Sequence, residues 1–143
     1  MLRQLTIKNF AIVDSITMEF GPGFNVLTGE TGAGKSLIVD ALYFLLGDRI
    51  SADMLRAGEE RALVEALFQV PIKGSAAKKL AEWGIGVSNG EILIKREFTR
   101  SSGKTRSFVN GEMATASMIA ELGSNPYRTW RCQGEARSCL GRP

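Results

Sequence analysis

Gly29-Glu30-Thr31-Gly32-Ala33-Gly34-Lys35-Ser36 satisfies the pattern G-x-x-x-x-G-K-[ST] at every defined position. Each residue type has a physical job there. Gly29, Gly32 and Gly34 let the backbone take unusual dihedral angles and come within hydrogen-bond reach of phosphate oxygens. The amides from Thr31 to Ser36 can converge as an anion nest at the positive end of a following helix. Lys35 supplies a point charge for the β- and γ-phosphates, and the Ser36 hydroxyl is a ligand for Mg²⁺. The chemistry implied is binding of a nucleoside triphosphate with its magnesium ion, with Glu30 and Ala33 completing the loop.

Hydrolysis asks for more. A P-loop ATPase also needs an acidic residue at the end of an apolar strand, to organise Mg²⁺ and the attacking water. Leu37-Ile38-Val39-Asp40 has that composition but falls on the helix that the P-loop opens. The chain therefore reads as half of an active site, with nucleotide affinity and no turnover of its own. The absence of His removes Ser-His and Cys-His nucleophile pairs, His-ligated zinc and an imidazole pH switch.

The elements that must position this loop can be read from periodicity. Leu2 to Phe20 reads as two strands broken at Asn9-Phe10-Ala11, and Gly21-Pro22-Gly23 is a turn. Phe24–Thr28 reads as a short strand running into the glycines. Lys35 to Leu46 suits a helix that is apolar nearly all round, hence buried on all sides, with Gly47 ending it. Residues 51–60 are polar and loop-like, and 62–70 alternate as a strand covered on both faces. Ser75 to Gly84 suits a short helix with Ala76, Leu80 and Trp83 on one stripe. Glu91–Thr99 and Lys104–Val109 read as paired strands, Asn110-Gly111 as a tight turn, and Thr115–Leu122 as a last helix. From Tyr127 to Pro143 no period is visible.

With 143 residues the chain is long enough for one domain with a true core. Charge is uneven: residues 1–94 carry a net of −2 and residues 95–143 a net of +5. A basic end of this kind suits a polyanion or a plain solvated surface. Within it, Lys95, Arg96, Arg100, Lys104 and Arg106 gather on one hairpin, which makes them candidates for sequence-blind contact with DNA phosphates. Cys132 and Cys139 have no other ligand pattern nearby, and Ala41 to Leu46, the longest apolar run, is far too short for a membrane span.

Several stretches together resemble the N-terminal head of the SMC-like ABC ATPases. They are Leu2 to Ile12, Asn25-Val26-Leu27-Thr28 with the P-loop, Asp40-Ala41-Leu42, Leu46-Gly47-Asp48-Arg49, Ser51-Ala52-Asp53, Arg56-Ala57-Gly58-Glu59, Val64 to Phe68, and the hairpin Gly103 to Gly111. The resemblance implies an α/β P-loop NTPase of the ABC/SMC head type. Residues 1–123 would be its N-terminal lobe, with an antiparallel strand layer and a P-loop helix, and 124–143 an atypical tail. It implies ATP as the nucleotide and an ATPase once a C-terminal lobe joins across a coiled coil. It further implies a second head across ATP, DNA as a partner, a role in double-strand-break repair and recombination, and a cytoplasmic, nucleoid-associated place with no membrane. By the same resemblance Arg56 matches an arginine near the nucleotide and the DNA-facing surface. Gln133 falls where the family has a glutamine touching Mg²⁺ and water, although Trp130-Arg131-Cys132 replaces the family's apolar strand there. Two other readings stand beside it: a P-loop kinase of a small molecule, and a non-enzymatic nucleic-acid-binding fragment.

Overall fold

The computed structural model describes residues 1–23, 25–26 and 33–124. Its strands are β1 (Leu2–Phe10), β2 (Val13–Glu19), β3 (Arg61–Gln69), β4 (Glu91–Thr99), β5 (Lys104–Val109) and β6 (Glu112–Ala114). The helices are α1 (Ala33–Leu45), α2 (Ser75–Glu82) and α3 (Ala116–Ser124), with one 3₁₀ turn at Ala52–Met54. The strands form one sheet in the order β2-β1-β3-β4-β5-β6, every neighbouring pair antiparallel.

Period-two alternation explains the sheet. Leu5 and Ile7 of β1 stand opposite Ala66 and Val64 of β3, and Ala66 in turn opposes Ile94 of β4, so one face is a continuous apolar layer. Phe68, Ile92, Phe98 and Val109 extend it, and α1 closes over it with Leu37, Ala41, Phe44 and Leu45. The opposite face carries Glu65, Lys95 and Phe108 in one cross-strand row with Leu63 and Leu67 beside it, so β3 is buried on one side and half-buried on the other rather than covered on both.

α1 also departs from the expected all-round burial. Ile38, Val39, Leu42, Tyr43 and Leu46 form a half-exposed stripe beside the core-facing one, and Gly34, Lys35, Ser36 and Asp40 are exposed. Its C-terminus closes as a Schellman motif: the Asp48 amide donates to the Tyr43 carbonyl at 3.1 Å and the Gly47 amide to the Phe44 carbonyl at 3.2 Å. Gly47 has φ +122°, and a Cβ there would stand 3.3 Å from Cβ of Ala120 on α3. β6 escapes the periodicity because three residues carry no period; its register with β5 and the Asn110-Gly111 turn hold it.

The expected strand at Phe24–Thr28 is absent where it can be seen. Asn25 and Val26 lie outside any strand, and Val26 is 62% exposed. The Asn25 side chain turns back instead, accepting from the Gly21 amide and donating to the Gly21 carbonyl, both at 3.0 Å. Phe24, Leu27 and Thr28 lie outside the described residues, as does the tail from residue 125 onward.

The β1–β2 turn holds Ala11 at φ +50°, a left-handed conformation that an L side chain adopts at a cost of about 1 kcal/mol or more. Ala11→Gly is expected to raise the unfolding free energy by up to about 1 kcal/mol, the relief exceeding the added chain entropy. Urea denaturation of the two proteins measures it, and a clear loss of stability would contradict the strain.

Candidate nucleotide-binding site

The site is the N-terminal end of α1. The first four amides of any helix lack intrahelical partners, and α1 has no acidic residue in its first turn to occupy them. Gly34, Lys35 and Ser36 are all exposed there. Among the described residues a Cβ built on Gly34 meets nothing within 4 Å. A helix N-terminus with a lysine and a hydroxyl on its first turn fits the phosphates and the magnesium ion of a nucleotide, the ion needing few protein oxygens. Gly29, Glu30, Thr31 and Gly32 lie outside the described residues, as does Gln133, and Ala33 is described as the first residue of α1.

Asp40 lies on α1 and is exposed, so Leu37-Ile38-Val39-Asp40 is helix and not the acidic strand of an ATPase. Among the described residues no group of three or more Cys, Asp or Glu could hold a metal ion.

The basic residues expected to face DNA do not share one surface. Arg96 is the plain correction: it is 2% exposed, on the inner face of β4 between Val64 and Ser107. Its Nε donates to Ser107 Oγ at 3.1 Å, and its Nη1 donates to the carbonyls of Phe44 and, at 3.0 Å, Asp48. The guanidinium carbon lies 4.7 Å from the centroid of the Phe44 ring. Period two had put Arg96 on the same face as Ile94 and Phe98, so the signal was present and the charge obscured it. Burial pulls its pKa down to about 10, partly offset by Asp48, and it stays a cation at neutral pH.

Arg56 and Arg100 belong to a loop clamp. Arg56 pairs with Asp14 at 3.4 Å and Glu59 at 3.9 Å. Arg100 donates to the carbonyls of Glu59 at 3.0 Å and Arg56 at 3.4 Å, tying the β4–β5 turn to residues 56–60. Beside it the Ser101 amide donates to Glu60 at 2.9 Å, and hydrogen bonding from the Ser101 side chain first, then from this amide, holds the Glu60 carboxyl below its ordinary pKa. Lys95 lies over the Phe108 ring at 5.8 Å, opposite Glu65, while Arg106 opposes Glu97. Lys95, Lys104 and Arg106 thus stand on the sheet's outer side, away from α1.

A mostly apolar cavity of about 340 Å³ opens at the other end of α1, lined by Leu46, Phe68, Val70, Ile92, Ile94 and Leu122 among others. It is remote from Lys35 and has no part in phosphate chemistry. No helix among the described residues is long and apolar enough to cross a membrane.

The AAA domain family model matches residues 4–127. DNA repair protein RecN of Halalkalibacterium halodurans is 44% identical over 125 residues, covering 87% of this chain and 22% of that protein. RecN of Bacillus subtilis strain 168 is 44% identical over 123 residues, covering 86% of this chain and 21% of that one. The chain thus spans about a fifth of the length of these curated relatives. Among solved structures, a chain from work on ATP-driven dimerization and DNA-stimulated activation of SMC ATPases superposes with a TM-score of 0.66 at 27% identity. That match covers 85% of this chain and 76% of the other. The fold is therefore the N-terminal lobe of an SMC-type P-loop head.

Proposed function

We propose that this chain, which belongs to the AAA domain family, is the ATP-binding N-terminal lobe of a RecN-like DNA repair ATPase. The observation that carries the reading is the N-terminal end of α1, where Lys35 and Ser36 are exposed and, among the described residues, nothing stands within 4 Å of a Cβ at Gly34. The loop Gly29–Ser36 holds the phosphates, Lys35 neutralises charge on the β- and γ-phosphates, and Ser36 ligates Mg²⁺. Bound Mg²⁺ supplies charge neutralisation between the phosphates.

Turnover belongs to the larger protein. The acidic residue that orders the attacking water lies in a C-terminal lobe, which also covers the half-exposed stripe of α1 and supplies a partner for the segment at Asn25 and Val26. Two things support this: the exposed Val26 without a strand partner, and the helical setting of Asp40. A second head closes across ATP, Gln133 contributes to the ion and water, and Arg56, Lys95, Arg100, Lys104 and Arg106 are the DNA-facing set left once Arg96 is removed. The chain by itself binds Mg-ATP without hydrolysing it.

Gly34→Ala tests the site cleanly. Ala is the better helix former by about 1 kcal/mol, and among the described residues its methyl meets nothing within 4 Å, so thermal stability is expected to hold or rise. The same methyl intrudes where phosphate must approach, so calorimetric titration should show Mg-ATP affinity falling at least about tenfold, the equivalent of one charge-assisted hydrogen bond. Parental affinity in Gly34→Ala would sink the proposal.

A further inference from the structure

α1 meets the sheet through Leu37, Ala41, Phe44 and Leu45, apolar contacts that carry little direction. A helix held that way can slide or turn on its support at small cost. Its C-terminal end needs no extra donor either, since Gly47 and Asp48 already satisfy the carbonyls of Phe44 and Tyr43. Yet Arg96 is buried against that end, bonded to Phe44 and Asp48 on one side and Ser107 on the other. Its inner-face neighbours on the same strand, Ile94 and Phe98, are apolar, so an aliphatic residue would pack there without a desolvation cost.

What a guanidinium adds over an aliphatic group is direction: a rigid planar fork fixes the height and rotation of the carbonyls it bonds. α1 is 13 residues long, a rod of about 20 Å at 1.5 Å per residue. Fixing one end on β4 and β5 therefore fixes where the other end presents Gly34, Lys35 and Ser36. We propose that Arg96 is a positioning residue for nucleotide binding, a buried directional clamp on the C-terminal end of α1 that sets the P-loop end in its receptive place. The proposal rests on the nucleotide-binding reading above and deepens it by adding a residue from the strand layer, remote from the phosphates.

Arg96→Lys keeps the positive charge and most of the stem but replaces the fork by one point donor, which cannot hold both carbonyls and Ser107 in plane. At a temperature where circular dichroism shows it folded, Mg-ATP affinity is expected to fall about tenfold. Amide exchange is expected to quicken along Leu37–Leu45 more than in β3. A role confined to stability would instead raise exchange evenly and leave the affinity of the folded protein unchanged, and that result overturns the proposal. Ser107→Ala, which frees one side of the fork without removing the cation, is the second variant should Arg96→Lys fail to fold. It is expected to weaken Mg-ATP about threefold with the same exchange pattern, and parental affinity in it counts against the clamp. Lys35→Ala run alongside separates the two readings. If Lys35→Ala binds as the parent does, the nucleotide site itself is wrong; if only the Arg96 and Ser107 variants do, the clamp is wrong.

Discussion

Phe44→Ala is expected to lower the free energy of unfolding by about 3–5 kcal/mol, the range for deleting a buried aromatic side chain without refilling the space. Phe44 is 0% exposed and lies where three supports meet. Its ring centroid is 6.2 Å from that of Phe10, at 33°. The Arg96 guanidinium stands 4.7 Å from the ring, and the ring belongs to the stripe that seats α1 on the sheet. Truncation opens a void beneath a buried cation and strips it of the ring that faces it. A domain of ordinary stability holds about 5–15 kcal/mol in all, so the loss removes about a fifth of it or more. Phe44→Leu, which conserves most of the volume, is expected to cost less than about 2 kcal/mol. Urea denaturation followed by circular dichroism decides it, and a loss below about 1 kcal/mol for Phe44→Ala would mean that α1 is not seated as described.

Lys35→Ala is expected to do the reverse, sparing the fold and removing the ligand. Lys35 is exposed on the first turn of α1, and surface substitutions commonly stay within about 0.5 kcal/mol. A charge-assisted contact to phosphate is worth about 1.5–3 kcal/mol, so Mg-ATP affinity should fall about 10- to 150-fold. Titration calorimetry reads the affinity and a thermal melt without nucleotide reads the fold. An unchanged affinity with an unchanged melt would remove the P-loop lysine from the site. Phe44 and Lys35 sit nine positions apart on the same helix, so opposite outcomes at the two would separate the seat of α1 from its working end.

Much of the fold was legible because it rests on short-range pattern. Alternation gave β1, β3, β4 and β5 within a residue or so, and α3 starts one residue past the expected Thr115, whose Oγ1 accepts from the Met118 amide at 3.2 Å. The P-loop pattern stands out in the sequence for the same reason, its spacing being local, and the structure describes it only from Ala33, the first residue of α1. What failed depended on partners distant along the chain. Phe24–Thr28 has strand composition, but a buried strand needs neighbours, and this antiparallel sheet gives Asn25 and Val26 none. The apolar circumference of α1 suggested enclosure, whereas the described residues cover one stripe fully and another halfway. The clamp around Arg56 and Arg100 is likewise not announced locally, since Asp14 stands 42 positions from Arg56 and Glu59 stands 41 from Arg100.

The strand order β2-β1-β3-β4-β5-β6 sets a kinetic sequence. β3, β4, β5 and β6 pair with chain neighbours through turns or one short helix, so this part can assemble early. β1 must find β3 across residues 20–60, which carry the P-loop and α1. Closing that long loop costs entropy before any apolar contact repays it. On a ribosome the first hairpin therefore waits, unsheltered, until β3 has emerged. Residues 20–60 are enclosed within the pairing that this order expects last, so α1 takes its final seat only once the sheet is complete.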